Sequence, residues 1–208
     1  MRRAILSLCL ATGFAGADEA PLDAWLARQA EMRTLDVAFT QERKLPALNE
    51  PVRTPGRLSF RKPTAIRWQL GEPAATVIYG DGETLTIANH QEMTFQSLRA
   101  DSPRAARFAM LGGREFGDAT AFHESFLVHA HRVVEGIHQY TLRPRDRRMR
   151  GRLPWMFLDI DPAQNQLRAL EIELQDGSRI RTIFENPKID AELPARHFVF
   201  DPAGFAAQ

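Results

Sequence analysis

Gly56-Arg57-Leu58-Ser59-Phe60-Arg61-Lys62-Pro63-Thr64-Ala65-Ile66-Arg67-Trp68-Gln69-Leu70 is the stretch whose reading decides the fold. Leu58 and Phe60 alternate with polar neighbours, and beyond Pro63 the same period of two returns at Ile66, Trp68 and Leu70. That period marks half-buried strands, and proline punctuates their ends. Residues two apart share a sheet face, so Leu58 with Phe60, and Ile66 with Trp68, each present an apolar pair to one side.

The pattern extends in both directions. Val77-Ile78-Tyr79 runs into Gly80-Asp81-Gly82, a turn, and Thr84-Leu85-Thr86-Ile87 returns from it, with Pro73 marking a strand end. Upstream, Val37-Ala38-Phe39-Thr40-Gln41 alternates. Before it, Leu22, Trp25, Leu26, Gln29 and Met32 recur at helical spacing, which predicts a helix over Pro21 to Arg33. Short helices are expected over Pro103 to Gly113 and Ala119 to Phe122. Alternation resumes in Phe126 to His129, Tyr140 to Leu142, Phe157 to Ile160 and Leu170 to Leu174. Asp176-Gly177 turns the chain into Ile180 to Phe184, and Phe198-Val199-Phe200 closes the series. One N-terminal helix followed by roughly nine or ten antiparallel strands predicts an α+β fold. Its expected form is a strongly curved sheet or open barrel covered by helices, with a lined interior that suggests carriage of something apolar.

The first seventeen residues read as an export signal. Arg2 and Arg3 precede an apolar run from Ala4 to Phe14, and Ala15-Gly16-Ala17 supplies a small-x-small cleavage pattern. The run is about half the ~20 residues a spanning helix needs. Cys9, the single cysteine, lies inside it behind the large Leu8, so it is filler rather than a lipidation site. Removing 17 of the 208 residues leaves 191, an ordinary size for one domain over residues 18–208. The same cut removes two arginines and no acid, so the formal charge goes from +1 to −1. That balance gives no reason to expect nucleic acid as a partner. Without thiols the exported chain is held by its core and has no cysteine for catalysis or metal binding.

Catalytic signals are weak. Gly112-Gly113 lacks the lysine and hydroxyl of a phosphate loop, no nucleophile–base pair stands out, and Asp159 and Asp161 share a strand face beside a turn. His129 and His131 are expected on one strand face, an incomplete metal site and more simply surface polarity, so neither metal nor cofactor is expected. Arg143, Arg145, Arg147, Arg148, Arg150 and Arg152 form the densest charge run. A solvated hairpin tip is the plain reading. As a functional surface, Arg145, Arg147, Arg148 and Arg150 would dock on anionic headgroups or an acidic partner. The candidate apolar wall is Phe39, Leu58, Phe60, Ile66, Trp68, Leu85 and Ile87. Phe95, Phe108, Met110 and Leu111 fall in the stretch expected to form the lid.

Phe39-Thr40-Gln41 after the opening helix, Gly56 to Pro63 followed by Arg67-Trp68 and Pro73, and Gly80-Asp81-Gly82-Glu83-Thr84-Leu85 together resemble the periplasmic lipoprotein carriers of the LolA family. Phe184-Glu185-Asn186-Pro187-Lys188-Ile189-Asp190, then Phe198 to Pro202, is similar to the family's closing strands. The resemblance implies a monomeric, non-enzymatic periplasmic carrier that takes acylated lipoprotein, or another lipid, from an inner-membrane donor complex to an outer-membrane acceptor. It also implies an incomplete antiparallel β-barrel whose apolar cavity is covered by short lid helices, and a basic residue near Lys62-Pro63 that holds the lid closed, with Arg61 and Lys62 as the two candidates. Where family carriers have aromatics after the Thr-Leu step, this chain has Thr86 and Ala88, so part of the expected aromatic wall is missing and a divergent member is implied. The alternative is a lipid- or peptide-sensing regulatory module of the same half-barrel shape.

Overall fold

The computed structural model describes residues 18–100, 102 and 118–208. The expected export signal and the expected helix over Pro103 to Gly113, with Phe108, Met110 and Leu111, lie outside these residues. Helix α1 spans Ala20–Glu31 with Pro21 in its first turn. Strands β1 (Thr34–Lys44), β2 (Val52–Arg61), β3 (Ala65–Leu70), β4 (Thr76–Gly80), β5 (Thr84–Asn89) and β6 (Thr94–Arg99) follow. Helix α2 (Ala119–Ser125) leads into β7 (Phe126–Val134) and β8 (Ile137–Pro144). The short α3 (Arg147–Arg150) precedes β9 (Trp155–Asp161), β10 (Gln166–Glu173) and β11 (Arg179–Ile189), and a 3-10 turn (Ala195–Phe198) and β12 (Ala206–Ala207) end the chain.

The strands form one twelve-stranded sheet in the order β12-β6-β5-β4-β3-β2-β1-β11-β10-β9-β8-β7. Except for β6–β7 and β11–β12, neighbours in sequence pair as hairpins, and the β1–β11 pairing joins the two ends of the chain at the middle of the sheet. Among the described residues no pairing joins β7 to β12, so the sheet curves without closing, as the alternation predicts. Two details differ from expectation. Phe198-Val199-Phe200 is not a strand: it begins in the 3-10 turn, because its aromatic side chains are used against the sheet rather than its backbone against an edge. The sheet is also not wholly antiparallel, since the two-residue β12 runs parallel to β6.

One face of the sheet carries two apolar clusters. Leu22, Trp25 and Leu26 of α1 and Phe122 of α2 pack on Tyr140, Leu142, Met156, Leu158, Ile160 and Leu170 of β8–β10. Their helical spacing places the three α1 residues on one stripe, and Leu22 and Leu26 are wholly buried. The second cluster, Val37, Phe39, Leu58, Ile66, Trp68, Ile78 and Leu85, belongs to β1–β5 alone. Phe184 of β11 touches both, so the apolar face is continuous across the sheet.

Candidate functional site

Strand register assembles the candidate wall. Val37 lies opposite Leu58, Leu58 opposite Trp68, Trp68 opposite Ile78, and Ile78 opposite Ile87. Beside this row runs Leu35, Phe60, Ile66, Gly80, Leu85 and Leu98. Directly opposed residues point to the same face, so two adjacent rows of aliphatic and aromatic side chains cover five strands. Phe39, opposite Gly56 and Phe184, ends the surface. Its ring lies 4.3 Å from that of Trp68, tilted by 32°.

Two glycines make this packing possible. A Cβ at Gly56 would collide with the Phe39 ring, which occupies the space over the glycine, and would sit 2.5 Å from the Gln69 carbonyl oxygen. A Cβ at Gly80 would sit 2.6 Å from a methyl of Ile66 and 2.8 Å from one of Leu85, which close over the gap from either side. The sequence marks Gly80 as a turn residue; the structure makes it a gap in the wall. Among the described residues no helical side chain belongs to this second cluster.

The structure thus brings together Phe39, Leu58, Phe60, Ile66, Trp68, Leu85 and Ile87. It separates Phe95 from them. Phe95 is in β6, opposite Ala88, and packs against Phe200 at 5.0 Å on the reverse face. Thr86 and Ala88 are on that reverse face too, with the Thr86 hydroxyl 3.1 Å from that of Ser97. An aromatic at either position would not reach the wall, so their presence removes nothing from it.

The reverse face is polar and strapped. Arg57 Nε donates to Asp36 Oδ1 at 2.8 Å, Ser59 Oγ to the same oxygen at 3.1 Å, and His197 Nε2 lies 2.9 Å from Ser59 Oγ. Burial alone pushes the Asp36 carboxyl up, but the hydrogen bonds from Arg57 and Ser59 outweigh it and hold Asp36 below the usual carboxylate range. Burial, with the charge of Arg67, lowers the His197 imidazole against the pull of Asp36. Phe200 continues the strap, 5.6 Å from Tyr79, and Phe205 lies 5.1 Å from His90. Sequence reading missed this device because its partners are about 140 residues apart.

The two residues proposed for lid closure point in different directions. Arg61 sits over the Phe198 ring at 5.0 Å on the strapped face. Lys62 Nζ donates to the carbonyl of Ala30 in the last turn of α1. The histidines do not share a face as expected. A β-bulge between Val128 and Ala130 inserts one residue and reverses the parity. His129 therefore meets Trp155 at 4.9 Å, while His131 stacks on Tyr140 on the other side, 3.0 Å from His138. Burial is the main cause lifting the Tyr140 hydroxyl to about 12, and that hydroxyl donates to the Asp18 carbonyl at 2.9 Å. No group of three or more metal-ligating side chains occurs among the described residues. Asp159 and Asp161 are held by Arg181 and Arg168, and Asp161 also accepts from Ala163 and Gln164 backbone amides. Arg145, Arg147 and Arg148 are exposed on the β8–β9 connection, with Arg150 half-buried beside them.

Residues 30–201 match the family described as outer membrane lipoprotein carrier protein LolA. An outer-membrane lipoprotein carrier protein of Chromobacterium violaceum is 28% identical over 159 residues, covering 71% of this chain and 68% of its own. Two solved structures share the fold. An uncharacterized conserved protein of Thermus thermophilus superposes with a TM-score of 0.53 at 8% identity, over 90% of this chain and 97% of its own. A DUF1329 family protein of Desulfovibrio piger gives 0.51 at 10% identity, over 87% and 96%.

Proposed function

The chain belongs to the LolA family of outer membrane lipoprotein carriers, and from that premise we propose that its β1–β5 face shields acyl chains in transit. The cargo is a lipid-modified protein, taken from a donor complex at the inner membrane and passed to an acceptor at the outer membrane, and the work is done in the periplasm. The observation that carries this reading is the pair of adjacent apolar rows on β1–β5 to which no described helix contributes. An acyl chain exposed to water costs ~0.8 kcal/mol per methylene, on the order of 10 kcal/mol for a whole chain. Aliphatic and aromatic side chains replace that water without hydrogen bonds, so the cargo is held by area and released when an acceptor offers more. No covalent bond is broken, and no cofactor is needed.

Lys62 is the residue we assign to holding the helical cover, because its ammonium already binds an α1 carbonyl while Arg61 is engaged behind the sheet. Native mass spectrometry of the protein purified gently from the periplasm, with organic extraction of what accompanies it, tests the reading. A bound acylated polypeptide is expected. Protein that arrives empty and takes up no added acyl probe refutes it.

A further inference from the structure

We infer that the β8–β9 connection, residues 145–152, is a docking surface for anionic lipid headgroups. Six arginines and one aspartate fall between Arg143 and Arg152. Several arginines elsewhere on the sheet are matched to acids: Arg53 to Glu42 at 2.8 Å, Arg168 to Asp161 at 2.8 Å, Arg179 to Glu173 at 2.7 Å, and Arg181 to both Asp159 and Glu171, while Arg67 and Arg132 bond to glutamine side chains. Among the described residues none of the six in this run has such a partner. The one acid in the run is occupied, because the Asp146 carboxylate caps α3 by accepting from the Met149 amide at 2.7 Å.

The local geometry fixes the connection without cancelling its charge. Arg145 Nε donates to the His123 carbonyl at 2.8 Å, and Arg150 Nη1 to the Pro144 carbonyl at 2.9 Å. Both acceptors are neutral. Helix α3 buries none of its four residues, and Arg147 and Arg148 are adjacent and exposed on it. Charges carried on an exposed turn suit a laterally mobile array of headgroups, which can rearrange to meet them. The neighbouring Leu127, cross-strand partner of Arg143, is 44% exposed and adds an apolar contact beside the cations. Cations flanking an exposed aliphatic side chain are the composition of surfaces that rest on a membrane interface. The inference does not depend on what the β1–β5 face carries.

Cosedimentation of the full chain with phosphatidylcholine vesicles, with and without phosphatidylglycerol, tests it at low and high salt. Partitioning is expected to rise with phosphatidylglycerol and fall with salt. Each exposed arginine near such a surface multiplies partitioning roughly fivefold, so Arg147→Gln with Arg148→Gln should lose roughly thirtyfold. Near-UV circular dichroism of that variant should match the parent, and Arg53→Gln, which alters a paired arginine, should keep parental binding. Equal partitioning into both vesicle types, or parental binding by the double variant, overturns the inference. Absence of vesicle binding together with retention on immobilised polyglutamate, lost in the double variant, overturns it too and assigns the turn to an acidic protein partner.

Discussion

Truncating Trp68 to alanine separates a wall from an ordinary core. Trp68 is 2% exposed, with Leu58 and Ile78 as its cross-strand partners and Phe39 against its ring. Loss of a buried indole costs about 3–5 kcal/mol, which in a domain of this size lowers Tm by roughly 6–20 °C. Stability alone does not distinguish the readings, so the comparison is Leu142→Ala. Leu142 is wholly buried in the cluster beneath α1 and α2, and its truncation costs about 2–5 kcal/mol. Urea denaturation should register both losses. Titration with a fluorescent fatty acid, below the transition of either variant, should separate them. Trp68→Ala is expected to bind at least about tenfold more weakly, ~1.4 kcal/mol, and Leu142→Ala to bind as the parent does. If the two variants bind alike, acyl contact is not made on β1–β5, and the division of the face into support and wall is wrong.

Three further outcomes follow from the same geometry. The folded pKa of Asp36 lies below its unfolded value, so its stabilisation is complete above about pH 4 and is lost as pH falls through the folded value. His197 is also lowered, which for a base favours the neutral form: its penalty begins as pH drops below about 6.5 and grows toward the folded value. Tm against pH should therefore decline in two steps, the upper one missing in His197→Gln and the lower in Asp36→Asn; unchanged profiles would remove these groups from the account. Gly56→Val should destabilise by about 1–3 kcal/mol in denaturant titration, and by less in a Phe39→Leu background, because the Phe39 ring is one of the two obstacles and the Gln69 carbonyl oxygen remains as the other. Equal costs in both backgrounds would show that the ring is not an obstacle. Lys62→Met keeps the aliphatic stem but removes the donor to Ala30, so stopped-flow release of an acyl probe should quicken, whereas Arg61→Met should leave it unchanged.

The apolar face of β1–β5 was legible in the sequence because its residues keep a period of two across regularly paired strands. Leu58, Phe60, Ile66 and Trp68 needed only alternation and the proline between them. Parity fails where the backbone slips. The bulge at Val128 to Ala130 sends His129 and His131 to opposite faces, and no residue type in that stretch announces it. Phe95 was misplaced for a different reason. Its strand has mixed composition, and the face it takes is set by register with β5 and by Phe200, which is distant in sequence. Arg61 and Lys62, adjacent in the chain, differ by one step of the pleat, and that step sends one behind the sheet and the other to α1.

The two halves of the sheet's apolar face are supported differently. Helices α1 and α2 bury their apolar stripes on β8–β10, so that half gains ordinary core packing. The β1–β5 half gains its rigidity from behind. There the Arg57–Asp36–Ser59–His197 network and the Phe198, Phe200 and Phe205 rings tie the C-terminal strap to β1–β6. Among the described residues no helix packs on the front of β1–β5, where Val37, Phe39, Leu58, Ile66, Trp68, Ile78 and Leu85 are nonetheless buried. On the proposed carrier reading, such a face would exchange one apolar neighbour for another during loading and release.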